Sequence, residues 1–226
     1  MKAKTKEVQY QRCIDLINDG CVEQFGAYTN QSWHDDPRRT LFMLSRYKFV
    51  AKMFAGKKDV LEVGCADAFG SRIVLQEVKN LTAVDFDPFF VEEAGKRVSN
   101  KYPLEVFTHN IVEKPVKKAF FNAAYSLDVF EHILPEDEEK ALGNIVTSLS
   151  EHGEFIIGMP SLESQKYASE PSRTGHVNCK TGKDLKNLID KYFHHSFLFS
   201  MNDEVVHTGF SKMAHYIFVL AAEPKK

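Results

Sequence analysis

The chain has 226 residues, of which 43% are hydrophobic and 27% charged, with a formal net charge of −2. Such a length suits one domain with a large core, or a domain with an appendage, and the composition is that of a globular protein in water. The charge shows no basic stripe for nucleic acid, the polar start MKAKTKEVQYQ lacks a signal-peptide core, and the run Ile217 to Ala222 is too short to span a membrane.

Residues 1–35 are mixed, with aromatics at Tyr10, Phe25, Tyr28 and Trp33. Asp36-Pro37 is an N-cap followed by a first-turn proline, so a helix runs from there to about Phe54 and Gly56 ends it. A buried strand follows at 58–63, a helix at 70–77 and a second strand at 81–85. Asp87-Pro88 repeats the cap-and-proline signal for a helix through about Ser99. Strands are expected at 104–108 and 123–127. Residues 135–150 form an amphipathic helix with Leu142, Ile145, Val146 and Leu149 on one face, stopped by Gly153 before a strand at 154–159. Thr181, with Asp184 three residues later, approximates a capping box for a helix to Phe193. Two strands close the chain at 195–201 and 213–222, with Asn202-Asp203 in their connection.

This alternation predicts an α/β fold: a Rossmann-like, doubly wound, mainly parallel sheet with a C-terminal antiparallel strand pair. Residues 37–226 form the main domain, and residues 1–36 form an N-terminal segment placed to serve as a lid. In such a sheet the ligand lies beyond the carboxyl ends of the strands, at the switch point. The motifs gather there. VLEVGCADAFG (60–70) is a strand that breaks into small residues, which let a backbone approach a ligand closely. Asp85 ends the next strand, where an acid can accept from both hydroxyls of a ribose. Cys13, Cys21, Cys65 and Cys179 show no CxxC spacing, so free thiols in a reducing cytoplasm fit better than disulfides or zinc.

VLEVGCADAFG, AVDFD, FTHNI and AYSLDVFEHI, in that order, resemble the motif set of the class I S-adenosylmethionine-dependent methyltransferases over about residues 40–160. The resemblance implies S-adenosylmethionine as cofactor. It implies that Glu62 and Gly64, with Ala66, line the methionine side. Asp85 would hold the ribose and Phe86 would lie against the adenine. Asn110, with Ile111 beside it, would sit by the adenine amino group, while Leu127 and Asp128 border the methionine end. Asn110 reads equally as an ordinary turn residue. Ala66 and Ala68 depart from the family, which usually has glycine there.

Methyl transfer to a hydroxyl benefits from a base, and histidine is the usual one near neutral pH. His132 and His176 follow the fourth and fifth strands and are the candidates, each read alternatively as structural, with His207 a weaker third. The long polar stretch 160–178 resembles the acceptor-side segment of methyltransferases that modify bacterial surface sugars, so the acceptor is expected to be a small sugar-like molecule. Trp33, His34, Asp35 and Arg39 are read as a lid over the same mouth, or as a flank. Asp128 and Glu131, three apart, are read as solvated carboxylates, and no metal is expected. The competing readings are a nicotinamide-dependent oxidoreductase, weakened because GCADAF lacks the GxGxxG spacing, and an inactive methyltransferase fold kept as a binding subunit.

Overall fold

The computed structural model describes residues 3–225; Met1, Lys2 and Lys226, at the outer ends of the two expected segments, lie outside the described residues. The centre is one eight-stranded sheet. Its strands are β1 (Asp59–Val63), β2 (Asn80–Asp85), β3 (Glu105–Thr108), β4 (Phe121–Leu127), β5 (Leu149–Pro160), β6 (Phe193–Asn202), β7 (Val205–His207) and β8 (Tyr216–Pro224), in the order β3-β2-β1-β4-β5-β8-β6-β7. The first five pair in parallel, whereas β8 runs antiparallel between β5 and β6. The chain reverses between β1 and β4, which makes that junction the switch point. β1 and β4 are buried almost throughout, as strands covered on both faces must be.

Helices cover both faces. Asp36 caps α3 (Pro37–Met53), its carboxylate accepting from the Arg38 N–H, and α3, with its C-cap Phe54, lays Tyr47, Val50 and that phenylalanine on one face together with Val74 of α4 (Ser71–Leu75). On the other face, α6 (Pro135–Ser148) and α8 (Gly182–Ile189) bury Leu142, Ile145, Leu185 and Ile189. Asp87 caps α5 (Pro88–Gly95), and Thr181 caps α8 by accepting from the Asp184 N–H.

Several expectations shift at the ends. Gly153 lies inside β5 rather than stopping α6, because the strand starts at once at Leu149. α8 ends at Ile189, since Phe193 is taken into β6. The strand β7 was not foreseen; it is three residues long and folds back on β6 through a turn at Asp203, whose φ is 50°. The first 35 residues hold α1 (Gln11–Asn18) and α2 (Ala27–Asp35), and 160–178 holds a 3-10 stretch (Leu162–Tyr167) and α7 (Glu170–Gly175). Among the described residues no helix is long and apolar enough to cross a membrane.

Candidate active site

β1 runs out into the loop 64–70. Gly64 has φ 79°, and a Cβ there would meet Val129 Cγ2 at 2.2 Å, so only glycine fits. Ala66 and Ala68 take the same left-handed region, at φ 44° and 54°. This conformation costs an L-residue with a Cβ roughly 1–2 kcal/mol. It points the Ala66 N–H at Asp85 Oδ2, 2.9 Å away. Asp67 pins the loop from below, accepting from the Thr29 N–H at 2.8 Å, the Thr29 hydroxyl at 3.0 Å and the Phe69 N–H at 3.2 Å. Ala66→Gly therefore relieves strain without losing the bond to Asp85. The freer unfolded chain takes back about 0.4–1 kcal/mol, so urea denaturation should show a net gain of up to about 1 kcal/mol. Calorimetry should show cofactor affinity at least equal to the parent; a collapse would mean that the alanine itself is required.

Two cavities open at the carboxyl end of the sheet. One, of about 560 Å³, lies over the ends of β2 and β3 and is lined by Asp85, Phe86, His109, Asn110 and Ile111. The other, of about 430 Å³, lies between α2, α3 and the segment after β5, with Tyr28, Ser32, Arg39, Arg46, Tyr47 and His176 in its wall. Gly64, Asp128 and His132 line both, so the cavities adjoin at the end of β4.

Asp85 sits in the first cavity, 7% exposed, with Oδ1 accepting from the Asp87 N–H at 3.0 Å; each of its oxygens keeps acceptor capacity for a hydroxyl. Phe86 is 73% exposed at the rim, a free aromatic face. Asn110 closes its own turn, accepting from the Val112 N–H and donating to Glu113, while also lining the cavity. Ile111 is buried beside it, and Asn144 of α6 donates to its carbonyl at 2.7 Å. Ala66 and Leu127 line the second cavity.

Glu62 departs from expectation. It lies below the floor and lines neither cavity. The Tyr47 hydroxyl donates to its Oε1 at 2.8 Å, and the hydroxyls of Ser71 and Tyr125 face the same carboxyl without closing a hydrogen bond. Burial pushes its pKa up to about 7. Between an ordinary carboxyl pKa and pH 7 the folded chain holds a proton that the unfolded chain has lost, so stability falls as pH rises through that window. Glu62→Gln, with no proton to lose, should remove that fall. Urea denaturation from pH 5 to 8 should show the variant gaining on the parent by about 2–3 kcal/mol, most of it by pH 7.

The junction is held by a half-buried ion pair. Arg46 Nη1 donates to both oxygens of Asp128 at 2.8 and 2.6 Å, and its guanidinium lies 3.9 Å from the centre of the Tyr216 ring. Asp128, at φ 57°, turns the chain out of β4. Three residues on, Glu131 is 1% exposed, and burial with Asp128 nearby pushes its carboxyl well above the usual range. It is not the solvated carboxylate expected from the sequence. His132 Nδ1 lies 2.9 Å from the Gly175 carbonyl, an acceptor only, so Nδ1 carries the proton and Nε2 the lone pair. His176 Nδ1 lies 2.8 Å from Gln165 Oε1, and Gln165 is oriented by donating to the Ser161 carbonyl. The two imidazoles are 5.1 Å apart.

The remaining candidates separate. Arg39 lines the second cavity, but Trp33 packs on Phe25 and His34 against Asp35, so α2 reaches the mouth through Tyr28 and Ser32 instead. His207 spends both nitrogens locally, on Asn202 and the Gly209 N–H. Tyr28, Ser32, Arg46 and Tyr47 are site residues that the sequence reading missed. All four cysteines are free, and Cys65 is a buried packing residue whose thiol burial pushes up.

Residues 61–157 match the family model described as a methyltransferase domain (Methyltransf_11). That stretch, a little under half of the chain, is similar to a methyltransferase domain, and the relatives it matches are named for S-adenosylmethionine-dependent methyl transfer. A "probable S-adenosylmethionine-dependent methyltransferase" of Mycobacterium tuberculosis is 28% identical over 122 residues, and one of Mycolicibacterium smegmatis 26% identical over 116. These alignments cover 54% and 51% of this chain and 41% and 42% of the relatives, so the chain spans less than half the length of the curated relatives it matches. Among solved structures, the N-methyltransferase NodS of Bradyrhizobium japonicum with S-adenosyl-L-homocysteine superposes at TM-score 0.63 and 16% identity, over 85% of this chain and 91% of that one. A TehB-like methyltransferase of Corynebacterium glutamicum superposes at 0.63 and 14%, over 88% and 97%. The methyltransferase fold is thereby shared. Nothing in these comparisons favours the oxidoreductase or binding-subunit readings.

Proposed function

We propose that this chain transfers the methyl group of S-adenosylmethionine to an oxygen of a small, polar, sugar-like acceptor. The observation that carries the reading is the meeting of the two cavities at Gly64, Asp128 and His132. Asp85, Phe86 and Asn110 hold the nucleoside in one, and the acceptor enters the other. S-adenosylmethionine supplies an electrophilic methyl on a sulfonium. The chain's own work is alignment and removal of a proton. Tyr28, Ser32, Arg39 and Ser172 offer hydrogen bonds to a hydroxylated acceptor. The anchored imidazoles of His132 and His176 offer their Nε2 lone pairs to its hydroxyl proton. We assign the reaction to surface-polysaccharide biosynthesis in the cytoplasm.

The test is incubation with S-adenosylmethionine and a panel of free sugars, nucleotide sugars and amines, read by mass spectrometry. Formation of S-adenosylhomocysteine together with an O-methylated sugar is the expected result. Transfer to amines alone would overturn the acceptor assignment.

A further inference from the structure

Glu131, His132 and His176 come from two separate segments and converge. One donor atom from each lies within 4.8 Å of the other two. The Glu131 Oε2 is buried and has no hydrogen-bond partner, so it has given up water without gaining a donor. The imidazoles complement it. Each is anchored through Nδ1, His132 on the Gly175 carbonyl and His176 on Gln165, which leaves each Nε2 uncommitted. A carbonyl or amide oxygen behind the far nitrogen is the outer support that metal-binding histidines commonly have. The backbone reinforces the meeting, because the Val177 and Asn178 N–H groups both donate to the Glu131 carbonyl, at 2.8 and 3.0 Å.

We propose that Glu131, His132 and His176 bind one Zn²⁺, or a divalent transition-metal ion of like preference, in the wall of the acceptor cavity. Two imidazoles and one carboxylate suit such an ion, whereas Mg²⁺ and Ca²⁺ take oxygen sets. Metal–ligand bonds of about 2.0–2.2 Å put donors roughly 3.5 Å apart, so side-chain rotation closes the site. Three protein ligands leave a position open, and His132 and His176 line the cavity where the acceptor is proposed to bind. The role of the ion rests on the methyl-transfer reading; its binding does not. With the ion held, both Nε2 atoms are ligands and no longer bases; the acceptor oxygen takes the open position and loses its proton to water instead. The O–CH₃ bond then forms, and the CH₃–S bond breaks with its electron pair left on sulfur. The products are a methyl ether and a neutral thioether, and the ion changes no oxidation state.

The test uses the full chain, stripped with chelator and then dialysed. ZnCl₂ titration by calorimetry, with metal content after gel filtration, should give one ion per chain, and CoCl₂ should give a visible absorption band. E131Q, H132Q and H176Q should each weaken binding at least about 100-fold, and Q165A, which removes only the support of His176, about 10–100-fold. Melting curves in chelator check that the variants fold, and Q165A and H176Q, on the partly exposed segment after β5, serve where the buried E131Q does not. Absence of stoichiometric uptake would overturn the site, as would uptake unchanged in H132Q and H176Q, which would assign the ion to the thiols. S-adenosylmethionine affinity in chelator separates the two readings: cofactor bound without zinc uptake ends the metal inference alone, and zinc uptake without cofactor binding ends the methyl-transfer reading alone.

Discussion

Asp85→Ala should lower S-adenosylmethionine affinity by roughly one to four decades. A carboxylate holding both ribose hydroxyls makes two charge-assisted hydrogen bonds, each worth about 1.5–3 kcal/mol, part of which solvent restores. The structure adds a second loss. Asp85 also accepts from the Ala66 and Asp87 N–H groups, so its removal frees the loop that the cofactor would touch. The domain should still fold, at a stability lower by about 1–2 kcal/mol. Asp85→Asn separates the effects, since its single amide oxygen can keep the Ala66 bond while the ribose loses a charged acceptor. Calorimetry on both variants decides; unchanged affinity in Asp85→Ala would remove the ribose assignment.

His132→Gln and His176→Gln should each lower kcat about 10²–10⁴-fold with cofactor affinity kept. Each imidazole is anchored at Nδ1, so the substitution removes an Nε2 that faces the acceptor side rather than a structural bond of the core. Gln can preserve the donor to Gly175 but supplies no basic lone pair. The loss is expected whether the nitrogen takes the acceptor's proton itself or holds an ion that acidifies it. Near-parent turnover in both variants would leave alignment alone to carry the reaction.

The sheet was legible because its signals are local. Buried strands read as apolar runs, and Asp36-Pro37, Asp87-Pro88 and Thr181 cap helices where their chemistry demands. The lining of the first cavity was legible for the same reason, since Gly64, Asp85 and Asn110 stand at strand ends. The lining of the second was not. Thr29 and Ser32 are buried polar residues on α2, and no local pattern in the sequence marks them as such. Arg46 did carry a signal that went unused: it stands between Met43 and Val50 in an apolar stripe of helical spacing, where a charge needs a buried partner. Nor does spacing reveal that Glu62 sinks below the floor or that His176 returns to His132, because both follow from tertiary packing. The insertion of β8 beside β5 is non-local in the same way.

Thr29 gives Asp67 both its N–H and its hydroxyl, so α2 and the loop 64–70 share one carboxylate. Local opening of α2 must take from that buried acid two of its three donors, and loosening of the loop must release the helix. The two therefore form a single cooperative unit in hydrogen exchange. On the proposed reading, a nucleoside that holds the loop should slow exchange along a helix it does not touch, and an acceptor held by Tyr28 and Ser32 should, by reciprocity, tighten the grip on the nucleoside.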